Sequence, residues 1–185
     1  MASRLSWGWV LAVVCVSSFT HAEISGDLRI CALRVNFIED TKESTTGNGQ
    51  FLSTNEGIDC ALYQVDPPPH NKSYFESQLK AVDSYFRSVS YGHIGIDIDS
   101  SQVYPSDVSG YDLQNEMAYY NPYDQAALHE SRLVQLFQHS LEIAYEQDSI
   151  DFIDFDLIVV FHAGIGQDFA LPFLDPTPEQ ICLQI

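Results

Sequence analysis

Hydrophobic and polar residues follow strand-like patterns in four places along the chain. From Leu28 to Ile38 they alternate, which predicts a β-strand with one face turned inward. A weaker strand is predicted through Ala61 to Val65, before three consecutive prolines that end it. From His93 to Asp99 the isoleucines and aspartates occupy opposite faces, which predicts a strand with one solvated side. Asp156 to Phe161 is apolar on both faces, a pattern typical of a central strand covered on both sides.

Two segments have the spacing of amphipathic helices. The first is predicted to begin at Ser73, with Glu76 completing a capping box, and to end at Gly92. The second is predicted to run from near Asp124 to about Glu146. The inward stripe of the first helix comprises Phe75, Leu79, Val82, Phe86 and Val89, and that of the second comprises Leu133, Phe137, Leu141 and Ala144.

The remaining long segments are predicted to be loops. Residues 100–123 are rich in Ser, Asp, Asn, Tyr and Pro without sustained periodicity, and their tyrosines favour an ordered surface loop over a flexible linker. A further loop follows Gly166. The predicted order of elements is strand, strand, helix, strand, helix, strand. This order predicts an α/β (α+β) domain with a mixed sheet and helices packed against it.

The first 22 residues have the features of a secretory signal peptide. A positive charge at Arg4 precedes an apolar run from Trp7 to Val16, and small and polar residues lead up to Ala22. The run is shorter than the roughly 20 apolar residues that a transmembrane helix needs, and no later run is long enough. We therefore expect no membrane span, and a mature chain of residues 23–185 that is secreted.

The net charge excludes one class of function. The chain carries 26 acidic residues against 8 Lys and Arg, for a formal charge of −18. Nucleic-acid binding depends on clustered basic side chains, and those of this chain are scattered. The acidic surface instead favours solubility and the attraction of divalent cations.

Three cysteines remain after removal of the leader: Cys31, Cys60 and Cys182. An odd number in an exported protein leaves at least one thiol without an intramolecular partner. The sequence leaves two alternatives open for Cys31: a disulfide with Cys60, or a free thiol buried in the first strand.

No complete metal-binding motif is present. Hydrolytic zinc sites commonly use His-Glu-x-x-His on a helix, and the nearest segment begins His129-Glu130 but has Leu133 at the fifth position. His139 and Glu142 also lie one helical turn apart, but a third ligand is missing. We assign no catalytic, cofactor-binding or metal-binding residue.

Two further features could carry chemistry. His162 directly follows the apolar strand, at the position where open α/β sheets place functional loops, and it is either catalytic or a hydrogen-bonded residue at a strand end. The acidic run of residues 148–156 could supply oxygen ligands to calcium. Because that run lacks the glycine and ligand spacing of a calcium loop, a solvated connection between helix and strand is the favoured interpretation.

Five segments occur in a fixed order along the mature chain. They are Leu28 to Phe37, Thr46 to Phe51, Asp66 to Asn71 ahead of Tyr74-Phe75, Tyr85 to Gly92, and Asp156 to Gly164. Together they resemble the immune-inhibitor-A-like secreted metallopeptidases, peptidase family M-six, over nearly all of residues 23–185.

The resemblance implies the N-terminal part of a zincin-like catalytic domain that cleaves proteins or peptides with a zinc-activated water and a glutamate base. In that family the His-Glu-x-x-His helix follows the His-Ala-Gly segment, so the chain is expected to stop before it. No zinc ligand or catalytic residue can then be carried over, and the chain alone is expected to be inactive. The alternative is a non-catalytic secreted binding or surface module on the same scaffold.

Overall fold

The computed structural model describes residues 25–42, 48–52, 68–107, 109–122 and 125–164. Strands β1 to β6 comprise Gly26–Leu28, Ile30–Ile38, Ile94–Ile96, Gln102–Tyr104, Tyr111–Glu116 and Leu157–His162. Helices α1 to α3 comprise Lys72–Val89, Met117–Tyr120 and Ala126–Asp148, and a 3₁₀ turn comprises Phe152–Asp154. The predicted leader, the strand at residues 61–65, Cys60, Cys182 and the loop after Gly166 lie outside the described residues.

Strand β2 is the centre of the main sheet. Leu33 pairs with Tyr104 of β4 on one side and with Val160 of β6 on the other, and Val35 pairs likewise with Tyr111 of β5 and His162 of β6. β4 and β5 therefore follow each other along one edge of β2, and β6 occupies the opposite edge. β1 pairs with β3 as a smaller sheet. All of these described pairs are parallel, whereas the sequence predicted a mixed sheet.

The two faces of the main sheet are covered by different helices. Ile30, Ala32 and Val103 pack with Phe75 and Leu79 of α1. On the other face a second cluster packs β2 and β5 against α2 and α3, and its buried members are Cys31, Leu33, Val35, Phe37, Tyr111, Leu113, Met117, Tyr120, Ala144, Ile150 and Ala163. The described residues thus form three layers, a helix on each side of a parallel sheet, which is the burial that βαβ connections produce.

The burial of β2 and β6 is the reverse of the prediction. β2 is buried on both faces, including the polar Arg34 and Asn36, although alternation predicted one wet face. β6 is only half-buried although its sequence predicted a central strand, because among the described strands it pairs with β2 alone. An alternating pattern shows which positions are polar, but it does not show which are exposed. In β2 the polar side chains are buried and bonded to partners inside the protein.

Of the two predictions for residues 93–123, the strand is present but shorter, and the surface loop was wrong. The strand from residue 93 to 99 extends only over Ile94–Ile96, because a turn begins after Asp97. The predicted surface loop of residues 100–123 contains β4, β5 and α2, and both Tyr111 and Tyr120 are buried. Short parallel strands beside a central strand have no long period of their own, so the sequence pattern did not reveal them.

The helices are present with different caps and inner faces. Asn71, not Ser73, caps α1: its side chain accepts a hydrogen bond from the Tyr74 amide at 3.1 Å. Of the five residues in the predicted inward stripe of α1, Phe75 and Leu79 are buried and the other three are exposed. In α3 the fully buried positions are Ser140 and Ala144, and the predicted inner residues Leu133 and Phe137 are exposed.

Two further predictions concern the Cys31 thiol and membrane-spanning helices. Cys31 is a free thiol, fully buried, and burial raises its pKa to about 12. In the part of the chain that the structure describes, no helix is long and apolar enough to cross a membrane.

Candidate functional site

The strands of the main sheet end together at one edge. β2, β5 and β6 run parallel, so their last residues Ile38, Glu116 and His162 all lie at the C-terminal edge of the sheet. This is the edge where open parallel sheets place their binding sites, because the loops that follow the strands diverge there. His162, the candidate from the sequence, lies at this edge as predicted.

His162 is held by its neighbours at the strand end. Its Nδ1 atom lies 3.0 Å from the carbonyl oxygen of Ala163, and its ring packs against Phe37 with 6.0 Å between centroids. Because a carbonyl oxygen only accepts hydrogen bonds, Nδ1 is the donor in this contact. The ring is half-buried. His162 is thus a hydrogen-bonded residue at the strand end.

The strand continues one residue beyond His162. The Ala163 amide donates to the carbonyl oxygen of Val35 at 3.0 Å, and Gly164 follows with φ of 88°. Glycine adopts this left-handed conformation without strain, whereas most other residues do not. The His-Ala-Gly segment therefore combines a strand end with an immediate turn.

A second polar group lies on the other side of Phe37. The Phe37 and Tyr120 rings are 5.6 Å apart, and the Tyr120 hydroxyl lies 2.8 Å from Nδ1 of His139. Asn115 donates to the same hydroxyl at 3.3 Å. Burial raises the pKa of Tyr120, and the hydrogen bond from Asn115 partly offsets that rise. Tyr120 therefore remains a neutral phenol that joins α2 to α3.

Tyr119 makes a parallel contact one turn along α3. Its hydroxyl donates to Gln135 Oε1 at 2.7 Å, and Arg132 donates to the same oxygen at 2.8 Å. The Arg132 guanidinium also lies 3.6 Å from the centre of the Tyr119 ring. Cation–π and hydrogen-bond contacts together fix α2 against α3. Tyr119 and Tyr120 are therefore both held against α3.

Charged residues line the rim of the same edge. Lys42 and Glu116 form an ion pair, and the hydrogen bond to Glu116 raises the pKa of Lys42. Asp40 accepts a hydrogen bond from the Lys42 amide at 2.8 Å. These side chains are partly or largely exposed, so their contribution to stability is small.

The burial of two polar residues in β2 was not predicted from the sequence. Arg34 donates to the carbonyl oxygens of Ser109, at 2.7 Å, and Pro105. Asn36 donates to Asp112 Oδ1 at 3.1 Å and accepts from the Phe51 amide at 3.0 Å. They hold the segments before β5 and after β2 in place. The alternating pattern assigned both to a wet face, and no signal in the sequence distinguishes a solvated strand face from one with buried partners.

The histidines singled out from the sequence do not converge on one point. His129 lies in the first turn of α3 beside exposed Glu130, His139 contacts Tyr120 further along that helix, and His162 ends β6. Within the described ranges no group of three His, Cys, Asp or Glu side chains could hold a metal ion. The resemblance places the zinc-binding motif after the His-Ala-Gly segment, so no described residue is assigned as a zinc ligand.

The carboxylates of the 148–156 run have partners of their own. Asp148 accepts a hydrogen bond from the Tyr111 hydroxyl. Asp151 caps the 3₁₀ turn by accepting from the Ile153 amide at 3.1 Å. Asp156 forms a bidentate pair with Arg29, at 3.0 Å for both contacts. These three carboxylates face different partners, and the run forms the connection between α3 and β6.

Comparisons with known proteins give no family for this chain. No protein-family model matches it, and no curated protein or solved structure matches it.

Proposed function

We propose that this chain is the N-terminal part of an exported zinc metalloendopeptidase, whose substrate is a protein or peptide. The observation that carries the proposal is the ordered set of five segments in which the sequence resembles the M-six metallopeptidases. Export is inferred from the signal-peptide pattern of residues 1–22.

The positions of the segments in the fold support the proposal. All five lie wholly or partly in described residues, and four of them fall on distinct strands or helices of one α/β layer structure. Leu28 to Phe37 covers β2, and Asn71 caps the helix that contains Tyr74-Phe75. Tyr85 to Gly92 forms the end of α1 and its turn, and Asp156 to Gly164 spans β6 and the turn after it. Segments that resemble a family would support the proposal less if they lay in unrelated loops.

In this proposal the chain has an architectural role. Its sheet and helices form one wall of a substrate cleft, with the C-terminal edge of the sheet nearest the reacting groups. The described residues do not provide a zinc site, so no catalytic step is assigned to any of them. We expect the 185-residue chain alone to have no peptidase activity.

The test is the coding sequence downstream of codon 185, read in all three frames. We expect a His-Glu-x-x-His motif there, and expect the extended protein to bind zinc and cleave a protein substrate. Replacing the motif's glutamate with glutamine is the matched control, because it should abolish cleavage and preserve zinc binding. Absence of the motif, or an extended protein without activity, would overturn the proposal.

One observation favours a second candidate, a non-catalytic secreted binding or surface module. His139 and His162 contact separate partners, and the described ranges contain no group of three His, Cys, Asp or Glu side chains that could hold a metal ion. If the downstream sequence lacks the motif, this reading replaces the peptidase. Binding of the purified chain to extracellular protein or polysaccharide fractions would then be the measurement to make.

A further inference from the structure

Asn48 is the one asparagine of this sequence that a glycine follows. The sequence has six asparagines, and the residue after each of the other five carries a side chain. A backbone nitrogen can attack the side-chain carbonyl carbon of a preceding asparagine, and a side chain on the attacking residue hinders this approach. Glycine has no side chain and the widest backbone freedom. Asn48-Gly49 is therefore the pair in this sequence that most favours such an intramolecular attack.

The structure folds the Asn48 side chain back over this peptide bond. Asn48 is exposed, and its Oδ1 atom accepts a hydrogen bond from the Gln50 amide at 3.2 Å. The ring of atoms that this bond closes includes the Asn48–Gly49 peptide bond, so the carboxamide is turned toward the Gly49 nitrogen. Its Nδ2 atom lies 3.4 Å from Oε1 of Glu39, which is also exposed. Water can therefore reach the carboxamide.

We propose that Asn48 is a site of spontaneous deamidation in the folded protein. The Gly49 nitrogen gives up its proton and forms a bond to Cγ of Asn48. The bond between Cγ and Nδ2 breaks, and Nδ2 takes up a proton and leaves as ammonia with the electron pair of that bond. A water molecule then opens the cyclic succinimide by breaking one of its C–N bonds. Opening on one side gives an aspartate, and opening on the other side gives an isoaspartate.

Both products disturb the contacts that hold this loop to the end of β2. The Asp40 amide donates to the carbonyl oxygen of Asn48 at 3.3 Å, and the Phe37 amide donates to that of Gly49 at 2.8 Å. An isoaspartate inserts a carbon atom into the main chain between these residues, so the two bonds cannot both keep their geometry. An aspartate keeps the main chain but places a second carboxylate beside Glu39. Deamidation should therefore loosen the loop at the C-terminal edge of the sheet.

The experiment follows the 185-residue chain during incubation at neutral and at mildly alkaline pH. Peptide mapping by mass spectrometry locates each conversion of an amide into an acid, and enzymatic methylation detects isoaspartate. Asn71 is the internal comparison, because it is also exposed but Lys72 follows it. We expect Asn48 to convert at least about tenfold faster than Asn71, since glycine does not hinder the attacking nitrogen. The rate should rise with pH, because that nitrogen attacks after losing its proton.

A synthetic peptide with the sequence of residues 46–51 sets the incubation time, because it reacts without the fold. Conversion of the peptide without conversion of Asn48 in the protein would overturn the inference, and so would equal rates at Asn48 and Asn71. The variant Asn48→Ser cannot form the succinimide and should show no conversion at this position.

Hydrogen exchange of the Phe37 and Asp40 amides measures the effect on the loop. We expect both amides to exchange faster in the converted protein than in the fresh protein. The fresh Asn48→Asp variant has the added charge without the longer main chain, so its exchange should lie between the two. Unchanged exchange after full conversion would overturn the effect on the loop. Neither result depends on the proposed peptidase function.

Discussion

The guanidinium of Arg34, in the middle of β2, donates a hydrogen bond to the carbonyl oxygen of Ser109 at 2.7 Å. Arg34 is 1% exposed, and burial lowers the pKa of its guanidinium. It also donates to Pro105, so one side chain fixes both ends of the excursion that separates β4 from β5. The positions of β4 and β5 along the same edge of β2 therefore depend on a charged side chain inside the core.

Replacing Arg34 should destabilise the folded protein. We expect Arg34→Met to lower the free energy of unfolding by about 2–4 kcal/mol, because two backbone carbonyls lose their donor in a buried site. Urea denaturation measures the change. Arg29→Met is the matched control: the Arg29 side chain is exposed, so loss of its ion pair should destabilise the protein much less than loss of Arg34. Equal effects of the two substitutions would contradict the structural role assigned to Arg34.

Gly110 should tolerate no side chain. A Cβ atom there would lie 3.1 Å from the backbone oxygen of Arg34 and 3.1 Å from the Asn36 side-chain nitrogen. Since backbone cannot move aside easily, we expect Gly110→Ala to destabilise the protein by about 1–3 kcal/mol. Gly95→Ala is the comparison, because the nearest atoms that the added methyl meets there belong to the end of the Arg87 side chain and not to the backbone. A larger loss of melting temperature for Gly95→Ala than for Gly110→Ala would refute this reasoning.

The Asp156–Arg29 pair should contribute to stability at all but acidic pH. The hydrogen bonds and charge of Arg29 lower the pKa of Asp156 from 3.8 to about 2 in the folded protein. A depressed carboxylate pKa stabilises the fold above the unfolded value, and this stability is lost as pH falls through the folded value. The difference in stability between wild type and Asp156→Asn should therefore shrink as pH falls from about 4 to about 2. A difference that stays constant over this range would exclude the linkage.

Calcium should not stabilise the described fold through the 148–156 run. Asp148, Asp151 and Asp156 already accept hydrogen bonds from Tyr111, Ile153 and Arg29, and they face different directions. We expect the melting temperature to be the same in calcium and in EDTA. A rise in melting temperature with calcium that Asp151→Asn abolishes would show that the run binds the ion.

Some features of the fold followed from local patterns. The periods of 2 and 3.6 located β2, α1, α3 and β6, and the position of His162 at a strand end was confirmed. The predicted cap of α1 was displaced by two residues, because Asn71 and Ser73 are both good N-caps and only the backbone conformation selects between them. The coarse class, helices packed on a sheet, was also confirmed.

Fewer features of the candidate site could be predicted from the sequence. The contact between Tyr120 and His139 joins residues on different helices, and the partner of Arg34 lies 75 positions away. Neither pair has a spacing that a linear pattern could reveal. Residues 100–123 were assigned to a surface loop because their strands are too short to show a period.

By itself the sequence determined the positions of the longest elements, β2, α1, α3 and β6, that the chain is strongly acidic, and that the given sequence contains no His-Glu-x-x-His motif, because each of these can be read from the sequence without the fold. Only the tertiary structure decided that, among the described strands, β2 lies at the centre and β6 pairs with β2 alone, and that Arg34 is buried. Strand order and burial depend on which distant segments pack together, and a polar residue can be placed inside only when the fold provides its partners.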